Sequence, residues 1–202
     1  MAKMHFKYAS MNSGKSIDLI RTAYNYEENG YKVLVIKPSI DTKSGNKISS
    51  RVGLEREVDI CVSSDDSILS VLKDKINNIN CILVDEAQFL TSNQVDDLYI
   101  VSKVFDIPVL CYGLRTNFKM ESFEGSKRLL EVCEELEEIT TLCSCGEIAR
   151  YVGRRVDGEY VFNGDEVLID GSVNNVEYIP LCGDCYLQKV KKLDFNKLRS
   201  NK

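Results

Sequence analysis

The sequence has little that would send the chain into a membrane, onto nucleic acid or out of the cell. A membrane-spanning helix needs about 20 apolar residues, whereas the longest apolar runs, such as residues 33–36 and 81–84, are four residues long. The start of the chain carries no apolar stretch of signal-peptide type, so the protein is expected to remain cytoplasmic. Positive charge is not in excess: 26 Lys and Arg stand against 31 Asp and Glu, a net charge of -5. Such a balance leaves no electrostatic footprint for a polyanion, and neither nucleic acid nor membrane is an expected partner. Internal repeats and low-complexity segments are absent. What remains is an ordinary globular composition of 202 residues, 44% hydrophobic and 28% charged, enough for one sizeable core plus an appendage.

Residues 8–16 read Y-A-S-M-N-S-G-K-S. They lie between an alternating, strand-like run at 4–8 and a helix-like run in which Leu19, Ile20, Ala23 and Tyr26 recur until Gly30. A phosphate-binding loop, G-x-x-x-x-G-K-[ST], must sit between such elements. Its backbone N-H groups curl round phosphates at a helix N-terminus, while the lysine and hydroxyl reach the terminal phosphates and magnesium. Gly14, Lys15 and Ser16 are in place, Ser10, Met11, Asn12 and Ser13 fill the loop, and Ala9 stands where the first glycine would be. Alone, this could be a mere Gly-Lys-Ser turn.

A second motif changes that reading. The apolar run 81–84 delivers Asp85-Glu86-Ala87-Gln88-Phe89 at a strand's C-terminal end, where open α/β sheets bind ligands. Together the motifs point to ATP. Asp85 and Ser16 are then magnesium ligands, Lys15 offsets phosphate charge, and Glu86 points at the nucleophile. If Glu86 activates water the protein is an ATPase; if it takes a proton from a substrate hydroxyl, a kinase. D-E-A-Q also resembles the acidic motif of helicase-type ATPases, but such motors use tandem domains and basic tracks that this chain has no room for.

Strands are further expected at 33–36, 58–62 and 108–112, and helices at 67–76, 94–105 and 126–136, the last with a solvated, Glu-rich face. Residues 37–57 read as a long functional loop. Alternating strands and helices define an α/β domain over 1–138. Residues 139–186 read as a β-rich appendage without a clear helix, with a hairpin turning at Asp157-Gly158, and 187–202 as a tail. Of eight cysteines, Cys61, Cys81, Cys111 and Cys133 are scattered, several of them in apolar runs typical of buried free thiols. Cys143-Ser-Cys145 and Cys182-Gly-Asp-Cys185 could converge as a four-thiolate zinc site stapling the appendage. Free thiols or a redox pair are the alternatives, the latter without a thioredoxin-like context.

The ordered set of motifs resembles the type II, cytosolic-type thymidine kinases over about nine tenths of the chain. S-M-N-S-G-K-S is similar to that family's phosphate loop, I-D-T-K at 40–43 to its D-T-R element, and D-E-A-Q-F to its D-E-x-Q-F. G-L-R-T-N-F-K-M-E-S-F is similar to its base-lining segment, and V-L-I-D-G followed by E-Y-I-P-L-C-G-D-C-Y to its lasso loop and second zinc knuckle. The resemblance implies a P-loop NTPase domain with a parallel, RecA-like sheet plus a small β-rich zinc-binding domain carrying a lasso loop. It further implies transfer of the ATP γ-phosphate to the 5'-hydroxyl of thymidine, with deoxyuridine a further acceptor, and structural Zn2+ alongside Mg2+. Glu86 takes the role of base and Gln88 joins the nucleotide site, while Met11, Phe89, Leu114, Phe118, Phe123, Gly171 and Tyr178 line the nucleoside. One of the three phenylalanines is expected to be core only. A homotetramer and feedback inhibition by dTTP are implied as well. The departures are Ala9, Lys43 in place of arginine, Asp170 in place of the lasso's first glycine, Val152 where threonine is frequent, and the shortened C-x-C pair. Alanine fits the loop's first position only where φ is negative.

Overall fold

The computed structural model describes residues 1–40, 46–164 and 175–200. The chain forms two compact units. The first comprises Met1–Tyr8, Gly14–Arg115 and Ser122–Ile139; the second, Ala9–Ser13, Thr116–Glu121 and Thr140–Lys202. Two short pieces of early sequence thus belong with the C-terminal part of the chain.

In chain order the early elements are β1 (Met4–Ala9), α1 (Lys15–Glu28), β2 (Val33–Pro38), β3 (Lys47–Ser49), β4 (Glu55–Glu57), β5 (Ile60–Val62) and α2 (Ile68–Leu72). They are followed by β6 (Cys81–Val84), α3 (Ser92–Val104), β7 (Val109–Leu114), α4 (Glu124–Val132) and β8 (Glu135–Ile139). Six strands form one sheet in the order β5-β2-β6-β7-β1-β8. Pairing is parallel between β2 and β5, β2 and β6, and β6 and β7. The continuous apolar runs follow from this, because a parallel strand covered on both faces must be apolar on both. Ile36, Ile82 and Val84 pack with α2, α3 and α4 through Ile68, Leu98 and Leu129. Val35, Cys81 and Leu83 face the opposite way, against Leu19 and Ala23 of α1.

Two expectations need correction. The stretch 37–57 is not all loop, since β3 and β4 pair as an antiparallel hairpin. The hairpin lacks a period-two apolar signal because Ile48 is its only buried strand residue. Its other ties are ionic: Lys47 pairs with Glu55 at 2.9 Å, and Arg56 with Glu27 of α1 at 2.7 Å. The acidic helix expected at 126–136 also ends early. Cys133 turns extended (φ -67°, ψ 137°) and the chain continues into β8. The glutamates there are cross-strand partners rather than one face of a helix: Glu135 pairs with Lys3, and Glu137 with Lys7 at 3.1 Å. Charge on an edge strand also discourages pairing with another sheet.

The second unit contains β9 (Thr141–Leu142), β10 (Ile148–Ala149), β11 (Tyr151–Val156), β12 (Glu159–Val161), β13 (Val176–Leu181), α5 (Gly183–Lys189) and α6 (Phe195–Ser200). β9 and β10 form one hairpin; β11 lies between β12 and β13 in an antiparallel sheet. The β11–β12 turn uses Asp157 (φ 49°) and Gly158 (φ 85°), the left-handed pair that a tight hairpin turn requires. α5 begins inside the region read as helix-free, its start hidden among cysteines: the Cys182 sulfur accepts the Cys185 N-H at 3.4 Å. The unit's core is small, with Cys143, Ala149, Leu181, Cys182, Tyr186 and Val190 as its fully buried members.

Candidate active site

In the first unit, Gly14 takes the left-handed conformation (φ 88°) and caps α1 without a side-chain hydrogen bond. The first N-H groups of the helix are therefore left to a ligand, and an anion is what a helix N-terminus favours. Lys15 opens the helix and is 8% exposed. Burial pushes its ammonium below the ordinary lysine range, while the charges of Glu86 and Asp85 pull it back. Ser16 is half-buried in the same turn.

β6 ends opposite β2, with Val84 in register with Ile36. The next residue, Asp85, donates its N-H to the Ile36 carbonyl at 3.0 Å. Strand parity turns Asp85 toward the α1 side, the side of Leu83. It is 4% exposed, and its Oδ1 is buried without a hydrogen-bond partner among the described residues. Burial first, and the charge of Glu86 second, push its carboxyl up to about 7 against the pull of Lys15 and Lys37. A buried, under-satisfied carboxylate oxygen near a lysine suits a hard cation such as magnesium.

Glu86 adopts left-handed geometry (φ 49°, ψ 37°), which a non-glycine residue holds only when its surroundings impose it. Gln88 contacts its side chain. Its Nε2 donates to the Glu86 carboxylate, and its Oε1 accepts the Leu114 N-H at 3.0 Å. That amide explains Gly113, where a Cβ would lie 2.9 Å from the Gln88 Oε1. Gly125 has a similar reason: a Cβ there would come within 2.5 Å of the Ala87 carbonyl oxygen and 2.7 Å of that of Leu90. Phe89 meets Phe123 edge to face at 5.6 Å, and Leu114 is buried at the end of β7. Lys37 was not among the residues picked from the sequence. It is 1% exposed, next after Ile36 on β2, and donates to the Lys47 carbonyl at 3.4 Å. A lysine closing an apolar strand gives no sequence signal of burial; only its register with Asp85 reveals it.

The second unit holds the rest. Ala9 ends β1 and is not among the residues with positive φ, so alanine fits where glycine is usual; Asn12 (φ 62°) takes the left-handed turn instead. Ser10 is buried and its Oγ donates to the Ala149 carbonyl at 3.4 Å, while Met11 and Ser13 are half-buried. Phe118 is 1% exposed and Tyr178 half-buried on β13. Gly171 and the D-T-K element at 41–43 lie outside the described residues. Residue by residue, Met11, Phe118 and Tyr178 belong to the second unit, and Lys15, Ser16, Asp85, Glu86, Gln88, Phe89, Leu114 and Phe123 to the first.

The sulfurs of Cys143, Cys145, Cys182 and Cys185 all lie within 4.8 Å of one another, the span of a tetrahedral four-thiolate site with metal-sulfur bonds of about 2.3 Å. Cys143, the ligand put in doubt by the short C-x-C spacing, takes its place with the others. Burial alone would raise its thiol, but N-H groups of Cys145 and Cys182 and the neighbouring thiols outweigh this and lower it to about 6. Burial and the neighbouring thiols push Cys185 up to about 12. Four clustered thiols that cannot all ionise together are what a bound dication resolves. The cluster is compatible with structural zinc.

A phosphate loop beside a strand-end carboxylate pair, with a four-cysteine unit, defines the class: an α/β nucleotide-binding phosphotransferase. The thymidine kinase family model matches residues 2–186. Among curated relatives, a thymidine kinase of Pasteurella multocida is 42% identical, covering 94% of this chain and 99% of its own. Those of Rhodopirellula baltica and Streptococcus gordonii are 43% and 40% identical, covering 90% and 93% of this chain and 86% and 97% of theirs. A solved Pif1 helicase from Candida albicans overlaps far more loosely, at 12% identity and a TM-score of 0.41 over 69% of this chain and 36% of that one, and carries no weight here. The chain belongs to the thymidine kinase family.

Proposed function

We propose that the protein transfers the γ-phosphoryl group of ATP to the 5'-hydroxyl of thymidine, producing dTMP for nucleotide salvage, with deoxyuridine as a further acceptor. The observation that carries this reading is Glu86, held by Gln88 beside Lys15 and Asp85 in a chain of this family. The Glu86 carboxylate takes the proton of the 5'-hydroxyl as that oxygen attacks. Lys15 and the N-H groups of the loop from Ala9 to Ser16 hold the phosphates, and the negative charge they bring restores the charged form of a lysine that burial disfavours. Ser16 and Asp85 would hold magnesium, which would supply charge screening for the phosphoryl group. Gln88 acts as the orienter of Glu86 from within the nucleotide site. Met11, Phe89, Leu114, Phe118, Phe123 and Tyr178 line the nucleoside; Phe118 and Phe123 are buried.

Cys143, Cys145, Cys182 and Cys185 would hold zinc, which would supply folding energy to a unit whose own core is small. Residues 1–138 form the ATP-binding part, 139–186 the zinc-binding and lasso part, and 187–202 a tail. Family resemblance supports a homotetramer, inhibition by dTTP and a cytoplasmic location; among the described residues no helix is long and apolar enough to cross a membrane. A zinc-stapled ATPase is disfavoured by the family match.

The test is Glu86→Gln. It should retain thymidine and ATP binding by calorimetry while dTMP formation falls by roughly 10²–10⁴-fold, the usual contribution of a general base. Undiminished turnover would remove Glu86 as the base.

A further inference from the structure

Arg154 is a buried arginine, 2% exposed, in the middle of the central strand of the second unit. In register it stands opposite Tyr178 on β13 and Val161 on β12, so its side chain shares a face with both. Its guanidinium lies over the Phe118 ring, 3.8 Å from the centroid. Its Nη2 donates to the Asn163 carbonyl at 2.5 Å, and the next residue is Gly164 (φ 113°), where a Cβ would lie 2.4 Å from that Nη2. One planar group therefore meets an aromatic face, a carbonyl just past a strand end and a glycine that leaves room for it.

Phe118 is fixed from its other side as well. It sits in a turn braced by Asn117, whose Oδ1 accepts the N-H groups of Lys119 at 2.9 Å and Glu121 at 3.0 Å. Its carbonyl accepts the Tyr186 hydroxyl at 2.7 Å, one residue beyond Cys185. A continuous line of contacts thus runs from the cysteine cluster through Tyr186 and Phe118 to Arg154 and Asn163. Burying a charge is weak evidence for stability, because apolar packing of the same volume would serve a core as well. A guanidinium is favoured where a flat, always-charged plate must stack and donate in fixed directions, which lysine cannot do.

We propose that Arg154 is a positioning residue for nucleoside recognition: it sets the ring of Phe118 and ties it to the Asn163 carbonyl, while the Tyr186 hydroxyl holds the Phe118 backbone. The inference rests on the thymidine-binding reading of Phe118 and Tyr178. Its action is on the acceptor nucleoside, because the ring its guanidinium stacks on is that of Phe118, read as lining the nucleoside.

The test compares wild type, Arg154→Lys and Tyr186→Phe in full-length, metal-loaded protein, varying thymidine and ATP separately. Metal per chain and equilibrium binding of thymidine without ATP are measured on the same samples. Arg154→Lys should raise the thymidine KM and weaken thymidine binding about tenfold or more, leave the ATP KM within about twofold, and keep its metal. Tyr186→Phe, which removes one hydroxyl and touches no cysteine, should shift thymidine alone by a smaller factor of roughly threefold. An unchanged thymidine KM in a folded Arg154→Lys, or equal rises in both KM values, would overturn the proposal. If Arg154→Lys does not fold, an unchanged thymidine KM in Tyr186→Phe overturns it instead. Wild type that neither binds nor phosphorylates thymidine removes the functional reading itself, and this inference with it; wild type that phosphorylates thymidine beside unaffected variants removes only the inference.

Discussion

At the scale of single residues, the reacting groups are set by strand ends and by one amide. Gln88 donates to the Glu86 carboxylate, and Gly113 is a glycine because Gln88 leaves no room for a Cβ. Lys15, Ser16, Asp85 and Glu86 were picked from the sequence by their spacing, and the structure brings Lys15 within the electrostatic reach of Asp85 and Glu86. Lys37 was not, since its place beside Asp85 depends on the register of β2 and β6. Ala9, the loop's one apparent defect, proves compatible because its backbone needs no positive φ. Lys37 leads to a prediction. It is a second buried cation beside the carboxylate that suits magnesium, and one of the charges that draws the Asp85 pKa down. Lys37→Met should lower kcat/KM for ATP by roughly 10²-fold, the scale of removing one fixed donor from a phosphoryl site, with the thymidine KM little changed. Steady-state kinetics with each substrate varied checks this, and unaltered ATP kinetics would contradict it.

At the scale of elements, the buried strands were readable as continuous apolar runs, whereas elements held by charge were not. β8 is the clearest case, because E-L-E-E-I carries helix-like acidity yet is fixed by Lys7 on β1 and Lys3 just before it. Its entry is clipped by Glu134, whose Oε2 accepts the Met4 N-H at 2.8 Å and whose other oxygen pairs with Lys103 of α3. Burial alone would raise the Glu134 carboxyl, but Lys103 and the Met4 N-H outweigh it and hold it below the usual range. The unfolded chain then takes up this proton first as pH falls. The stability Glu134 contributes is complete above the unfolded pKa of about 4.3 and is lost as pH drops through the lower folded value. Glu134→Gln should therefore reduce Tm at pH 7 and leave a shallower fall of Tm between about pH 5 and pH 3 than wild type shows. Parallel Tm-pH curves for the two proteins would contradict it.

At the scale of the whole molecule, the sequence reading cuts the chain near residue 139 and again near residue 187. The structure instead gathers 9–13, 116–121 and the C-terminal part into one unit, so Met11, Phe118 and Tyr178 share it with the four cysteines. No local pattern could show this, because it depends on contacts across more than a hundred residues, such as Ser10 with Ala149 and Thr141 with Asn12. The cysteine pairs were legible as a possible site because four thiols at two turns have few other uses. Metal analysis should find about one zinc per chain, and its removal by a chelator should weaken thymidine binding more than ATP binding, measured by calorimetry. A metal-free protein with unchanged thymidine affinity would refute the staple. The central claim, that phosphate passes from ATP to thymidine, is tested most directly by incubating the pure protein with γ-labelled ATP, magnesium and a panel of nucleosides. Label should appear in dTMP and depend on thymidine or deoxyuridine; release as inorganic phosphate without dTMP would contradict the account.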